Sequence, residues 1–310
     1  MTIVDLTAHD AHFAGRASDA EWARITAFRA RPRFLDGVAR HAGAMQPFFA
    51  QSMILNKVVV EAWRFQMLVL TLWLDETYDI HDARSGLTVA NLQRLCAQMK
   101  IASPGRVFAF IQLMRAGAFL TRAPAGADAR VVRFVPTPRF MEIVEEWNTN
   151  IFAAIDATAG NTRLADLARA QPDLGRNMRT SGGAALIAGW DAMGPFPEFE
   201  FFAGCDGGFL MMEYIVVRAI GDDGRVRAGP VDVDLHRRAR DFGGSRSNLT
   251  RLLDRALDAG MLAEPHAMGR NVVLTPRTIC AFLGFIASFL AFFEEHVGLV
   301  EGADAASRVM

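Results

Sequence analysis

A chain of 310 residues with 51% hydrophobic and 22% charged residues can bury a sizeable core, which excludes a largely disordered protein. The length favours two domains. A formal net charge of −1 gives the whole chain no polyelectrolyte character, so a nucleic-acid reading has to rest on where the charge lies.

The opening MTIVDLTAHDAHF carries acids and histidines and no apolar segment, so it predicts a loose stretch to about residue 17 and no secretory signal. Ser18, with Asp19 and Glu21 after it, predicts a helix that Pro32 interrupts near Arg31. A short helix over 34–43 follows. Pro47 then precedes a long apolar helix over 53–74. The turn after it holds Asp75, Glu76, Asp79, His81 and Asp82, the densest set of possible metal ligands. It lacks the glycine and alternating spacing of a calcium loop, and no HExxH pair is present. A solvated loop without metal is expected.

Thr88 predicts the cap of a helix that carries Leu92, Leu95 and Cys96. After a turn at Ile101–Ala102, Ser103 and Pro104 begin a second helix. It should bury Val107, Phe110, Ile111 and Met114 and close at Gly117, which is helix–turn–helix spacing. FLTRAPAGADARVVRFVPTPR reads as a β-hairpin. A long helix over 138–159 and a shorter one over 162–170 come next. The proline and glycines of 171–183 mark the best boundary, dividing the chain into 1–175 (core 53–159) and 176–310 (core 209–298).

The second half repeats the pattern. An apolar helix over 209–220 leads to a first helix containing Val233, Leu235 and Ala239. A second helix spans 245–260, EPHAMGRNVVLTPR forms a hairpin, and a helix runs from Pro276 to about His296, frayed from Glu301. Met193-Gly-Pro-Phe echoes Met45-Gln-Pro-Phe, Gly117 and Gly260 stand 143 residues apart, and Thr-Pro-Arg recurs at Thr137–Arg139 and Thr275–Arg277. A repeat of that period means duplicated domains. The predicted fold is mainly α with small β-hairpin wings: two helix–turn–helix units with wings, joined and surrounded by long helices.

The stretch GGSRSNLTRLLDRALDAGML, over 243–262, carries the most chemistry. Leu249, Leu252, Leu253 and Ala256 have the spacing of one buried helical face. The opposite face presents Ser245, Arg246, Ser247, Asn248, Arg251 and Arg255. Arg can bond guanine edges and Asn adenine edges in a major groove; an ordinary amphipathic surface helix is the plainer alternative. Two apolar runs, 65–74 and 278–293, fall short of the roughly 20 residues that span a bilayer, so both are read as core or interface helices. Cys96, Cys205 and Cys280 are scattered without a CxxC. They read as reduced thiols and suggest a cytoplasmic protein.

SRSNLTRLLDRALDAGML followed by a wing ending in VVLTP resembles the winged helix–turn–helix of MarR-family transcription regulators. The first copy has aromatic residues in place of several polar ones in its recognition helix. Its wing keeps the D-x-R…T pattern, with Asp128 and Arg130 before Thr137. The resemblance implies that Arg130 reaches a minor groove. The second wing lacks the acid, and Arg270 stands two positions closer to its threonine. The resemblance also implies one chain acting as an intramolecular pseudo-dimer, with a small aromatic acid as a possible effector; Trp63, Trp73 and Trp147 are the candidate lining.

Charge is gathered on the two units. From Thr88 to Arg139 there are eight Lys or Arg and one acid; from Val231 to Arg277 there are eight Arg and six acids. Phosphate neutralisation needs such a distribution. The expected partner is double-stranded DNA, with Ser103, Arg106, Arg130, Arg133, Ser245, Arg246, Ser247, Asn248, Arg251 and Arg270 as contacts. The alternative is a protein-interaction module that has lost DNA binding. With no phosphate-binding glycine loop, no nucleophile elbow and seven scattered histidines, no catalytic set and no cofactor are expected.

Overall fold

The computed structural model describes residues 2–50, 61–82, 84–124, 131–171 and 173–307. They form a mainly helical protein with two small antiparallel sheets. The chain packs as two compact units. The first comprises Met1–Asn56, Asn150–Ala165 and Ala192–Glu294, and the second Lys57–Thr149, Asp166–Asp191 and Glu295–Met310. Each holds one of the two expected helix pairs, and both draw on residues from either side of 175.

In the second unit, the helix Ala62–Glu76 buries Met67, Leu68, Leu70, Leu72 and Leu74. Residues 51–60, the start of the helix expected over 53–74, lie outside the described residues. The Thr88 hydroxyl accepts the amide of Asn91 and starts Val89–Gln98, which buries Leu92, Leu95 and Cys96. Pro104 opens Pro104–Ala116, where Val107, Phe110, Ile111 and Met114 turn inward as their spacing predicts. Strands Leu120–Arg122 and Phe134–Pro136 pair antiparallel, and the Phe134 amide also donates to the Leu87 carbonyl at 2.8 Å. Residues 125–130 of this hairpin lie outside the described residues.

The expected boundary at 171–183 is instead occupied largely by a helix, Leu174–Ile187, packed along Ala62–Glu76. Its glycines serve close approach, not turns. A Cβ on Gly183 would stand 2.4 Å from the Cβ of Trp73, and one on Gly175 2.5 Å from Glu145 Oε2.

The first unit ties down the stretch expected to be loose. Thr2–Ile3 pairs antiparallel with Arg227–Ala228, and the Val4 amide donates to Val226 at 2.9 Å. A short helix, Asp10–Ala14, buries Phe13 completely, with its ring 5.3 Å from that of Phe196. These apolar residues are too sparse to show a period, so they left no signal in the pattern. Ser18 accepts the Glu21 amide to start Asp19–Arg29. Phe34–Ala50 continues through Pro47, which removes one internal hydrogen bond and crowds the carbonyl one turn back. Met45–Phe48 is therefore helical, whereas Met193–Phe196 forms the turn before Pro197–Ala203. That echo has no structural counterpart.

After Gly208–Arg218, Val233 does not belong to a helix. Its amide donates to Gly269, and the helix is a single turn, Leu235–Arg238, capped by Asp234 with φ at 44°. The buried positions Val233 and Leu235 alternate, a period of two taken for a helical one. Ser245 then accepts the Asn248 amide and begins Arg246–Asp258, which buries Leu249, Leu252, Leu253 and Ala256. The second hairpin is made of isolated bridges, Leu262↔Leu274 and Ala267↔Arg270, with Val231↔Val272 beside it. The last helix, Pro276–Ser307, continues past the point where fraying was expected. Over Pro276–Val297 it is long and apolar enough to cross a membrane, with 83% of the most apolar window buried. Within the first unit it is the core, contributing Ile279, Phe282, Leu283, Ile286 and Leu290.

The second helices of the two copies start and end alike, but not in the register that Gly117 and Gly260 suggest. Ser103 and Ser245 each precede a second helix. At its end, the Phe119 amide bonds the Met114 carbonyl at 2.9 Å and the Met261 amide bonds that of Ala256 at 2.8 Å. These pairs fix an interval of 142 residues. The left-handed closing residue is Ala118 (φ 55°) in one copy and Gly260 (φ 69°) in the other; Gly117 is still right-handed. Past this point the hairpins differ in length. Thr137 bonds back to Phe119 and Thr275 to Met261, both at 2.9 Å, so the second hairpin is four residues shorter.

Candidate nucleic-acid interface

Successive residues of a helix are about 100° apart, so burying Leu249, Leu252, Leu253 and Ala256 sends Ser247, Arg251 and Asp254 to the opposite side. Ser245, Arg246, Ser247, Asn248, Arg251 and Arg255 are all exposed. Glycines flank the start of this face: a Cβ on Gly244 would stand 2.9 Å from the Asp206 carbonyl oxygen, which holds the turn close to its neighbour.

Side-chain contacts organise the exposed groups. The Arg251 guanidinium bonds the Asn248 side-chain oxygen and reaches back to the Ser247 carbonyl at 3.4 Å, and Ser245 and Ser247 hydroxyls lie 3.1 Å apart. Arg246 extends to the Met268 sulfur at 3.7 Å, linking the helix to the hairpin tip, where Met268 is 63% exposed. Arg270 is exposed on the same hairpin. Arg255 lies over the Phe201 ring at 5.1 Å with Cys205 Sγ 3.9 Å away, neighbours the sequence did not connect. The first turn holds no acid; Asp254 comes later and sits 3.2 Å from His266. One helix end therefore gathers cationic, hydroxyl and amide groups on an open face.

The corresponding helix, Pro104–Ala116, exposes Ser103, Arg106, Phe108, Ala109 and Arg115. Ser103 makes no side-chain cap bond, and the Arg106 guanidinium lies 5.3 Å above the ring of Trp63. Phe108 is 52% exposed. Arg133 is drawn inward: it lies 4.0 Å over the Tyr78 ring and 3.6 Å from Asp75. Burial pushes the Asp75 carboxyl up to about 6, against the pull of Arg133. Arg130 lies outside the described residues.

The acidic turn divides. Asp79, His81 and Asp82 are exposed, but Glu76 is tied to Arg176 at 2.9 Å and to Arg179 at 2.6 Å, and Arg179 also reaches Glu145. The three tryptophans have separate neighbours. Trp63 meets Arg64 and Arg106, Trp73 packs against Gly183, and Trp147 lies 5.7 Å from Phe65. Among the described residues, no group of three or more His, Cys, Asp or Glu is placed to hold a metal ion. Burial pushes the Cys96 thiol up to about 11 and that of Cys280 up to about 12, which keeps both protonated and unreactive.

Two buried polar clusters in the first unit had no sequence signal, because their partners are far apart in the chain. His41 Nδ1 lies 2.7 Å from Glu213 Oε1, both side chains buried. Glu198, also buried, gathers His12 at 3.2 Å and Arg277 at 2.8 Å. No family model, curated protein or solved structure matches the chain.

Proposed function

We propose that the protein is a cytoplasmic, sequence-specific regulator of transcription that binds double-stranded DNA through two non-identical, MarR-like winged units in one chain, an intramolecular pseudo-dimer. The observation that carries this reading is the open face of Arg246–Asp258, where Arg246, Ser247, Asn248 and Arg251 cluster at the start of a helix whose other face is buried. Such a helix suits a major groove, and the hairpin tip with exposed Met268 and Arg270 suits the flanking backbone. The basic stretch around Arg106 adds phosphate attraction.

Retardation of duplex fragments at low salt tests the reading, and loss of all retardation there would overturn it. Arg251→Ala should weaken binding to a selected site by about 1–3 kcal/mol, measured by titration. Arg106→Ala should lower the slope of log affinity against log salt by about one, whereas Asn248→Ala should leave that slope unchanged. A second reading, a protein-binding module, is favoured by the exposure of Phe108. It would prevail if a stoichiometric protein partner were recovered and no salt-dependent DNA binding were seen.

A further inference from the structure

We infer that the two helices read DNA by different chemistry: Arg246–Asp258 through hydrogen bonds to base edges, and Pro104–Ala116 through apolar contact with thymine methyl groups. The inference rests on the DNA-binding reading above and specifies what the first copy recognises.

The register of the copies carries the argument. At the interval of 142 residues, Phe108 stands where Thr250 does and Ala109 where Arg251 does. The position that offers a guanidinium in one copy therefore offers a methyl group in the other, with a phenyl ring beside it. Both Phe108 and Ala109 are exposed, while Val107, Phe110, Ile111 and Met114 already supply the packing face. The fold does not demand the phenyl ring at 108, and half of its surface is in water. Covering the exposed half of this ring with an apolar ligand surface would be favourable.

Charge identifies that partner as a polyanion. Arg106 and Arg115 are exposed on the same helix and Arg122 on the following strand, and Thr88–Arg139 contains a single acid. Such a cationic rim complements the phosphates of a duplex. In the major groove the thymine C5-methyl is the apolar feature that distinguishes one base pair from another, and alanine and phenylalanine are side chains that contact it. Arg106, at the position of Asn248, can take a neighbouring guanine edge or phosphate.

The test uses the full chain and a duplex selected from a randomised pool. Each thymine of the selected site is replaced in turn by uracil, which removes only the methyl group. Replacement within one half of the site should weaken binding about fourfold for each methyl that contacts the protein. Phe108→Ser combined with Ala109→Gly, which removes both apolar contacts, should abolish that thymine–uracil difference while leaving unchanged the effect of base changes in the other half. Equal affinity for thymine and uracil at every position, with sequence-specific binding retained, would overturn the inference and leave the DNA-binding reading standing. Absence of binding to any duplex would overturn both.

Discussion

The backbone at Ala118 is a point where two nearly identical helix endings use unequal residues. A left-handed φ of 55° brings the alanine Cβ against its own carbonyl, whereas Gly260 meets the same requirement without that clash. Ala118→Gly should therefore stabilise the protein, and Gly260→Ala should destabilise it, each by about 1 kcal/mol in urea unfolding. A midpoint that falls with Ala118→Gly would refute this account of the ending. The buried face of each second helix was legible because its apolar residues recur at helical spacing and Ser103 and Ser245 mark the starts. The register of the repeat was not. Gly117 looks like a terminating glycine, and only the backbone shows that the residue after it closes the helix.

Among whole elements, Leu174–Ile187 shows that glycine has two meanings in a sequence. Gly183 allows the helix to approach Trp73, so Gly183→Ala should destabilise by about 1–3 kcal/mol through overpacking. Gly105→Ala is the contrasting case. Its new methyl would meet nothing within 4 Å, and thermal unfolding should show a change of zero to about 1 kcal/mol in the stabilising direction. Equal effects from the two substitutions would exclude close packing as the role of Gly183. Composition alone could not separate these cases, and it turned a packed helix into an expected domain boundary. The buried polar clusters were invisible for another reason: His41 and Glu213 are 172 positions apart, and no local pattern joins them. The exposed chemistry of Arg246–Asp258 was legible because it lies on one continuous helix. The inward pull on Arg133 was not, since Asp75 and Tyr78 come from a different part of the chain.

At the scale of the molecule, the charge set has a pH consequence. The Asp75 carboxyl titrates near 6 in the folded protein and near 3.8 as an ordinary side chain, so the native state holds its proton more tightly. Its effect favours folding fully below 3.8, fades as the pH rises to about 6, and is level above that. Asp75→Asn should remove this component. The stability difference between variant and parent should grow across that window and then plateau, at about 1 kcal/mol after solvent screening. A difference that stays flat from pH 4 to pH 7 would show that Asp75 is not held out of water.

The unequal hairpins give the proposed DNA complex a direction. The first places four more residues between the end of its helix and its anchoring threonine than the second does, and the two helices beside them carry different side chains. A homodimer of identical subunits looks the same after half a turn about its axis, and so does the operator it prefers. This chain has no such equivalence between its halves. On DNA it would have a front and a back, and inverting the operator would turn the protein round with it. A neighbouring polymerase would then meet a different face of the same regulator, making the orientation of the site, as well as its position, a regulatory variable.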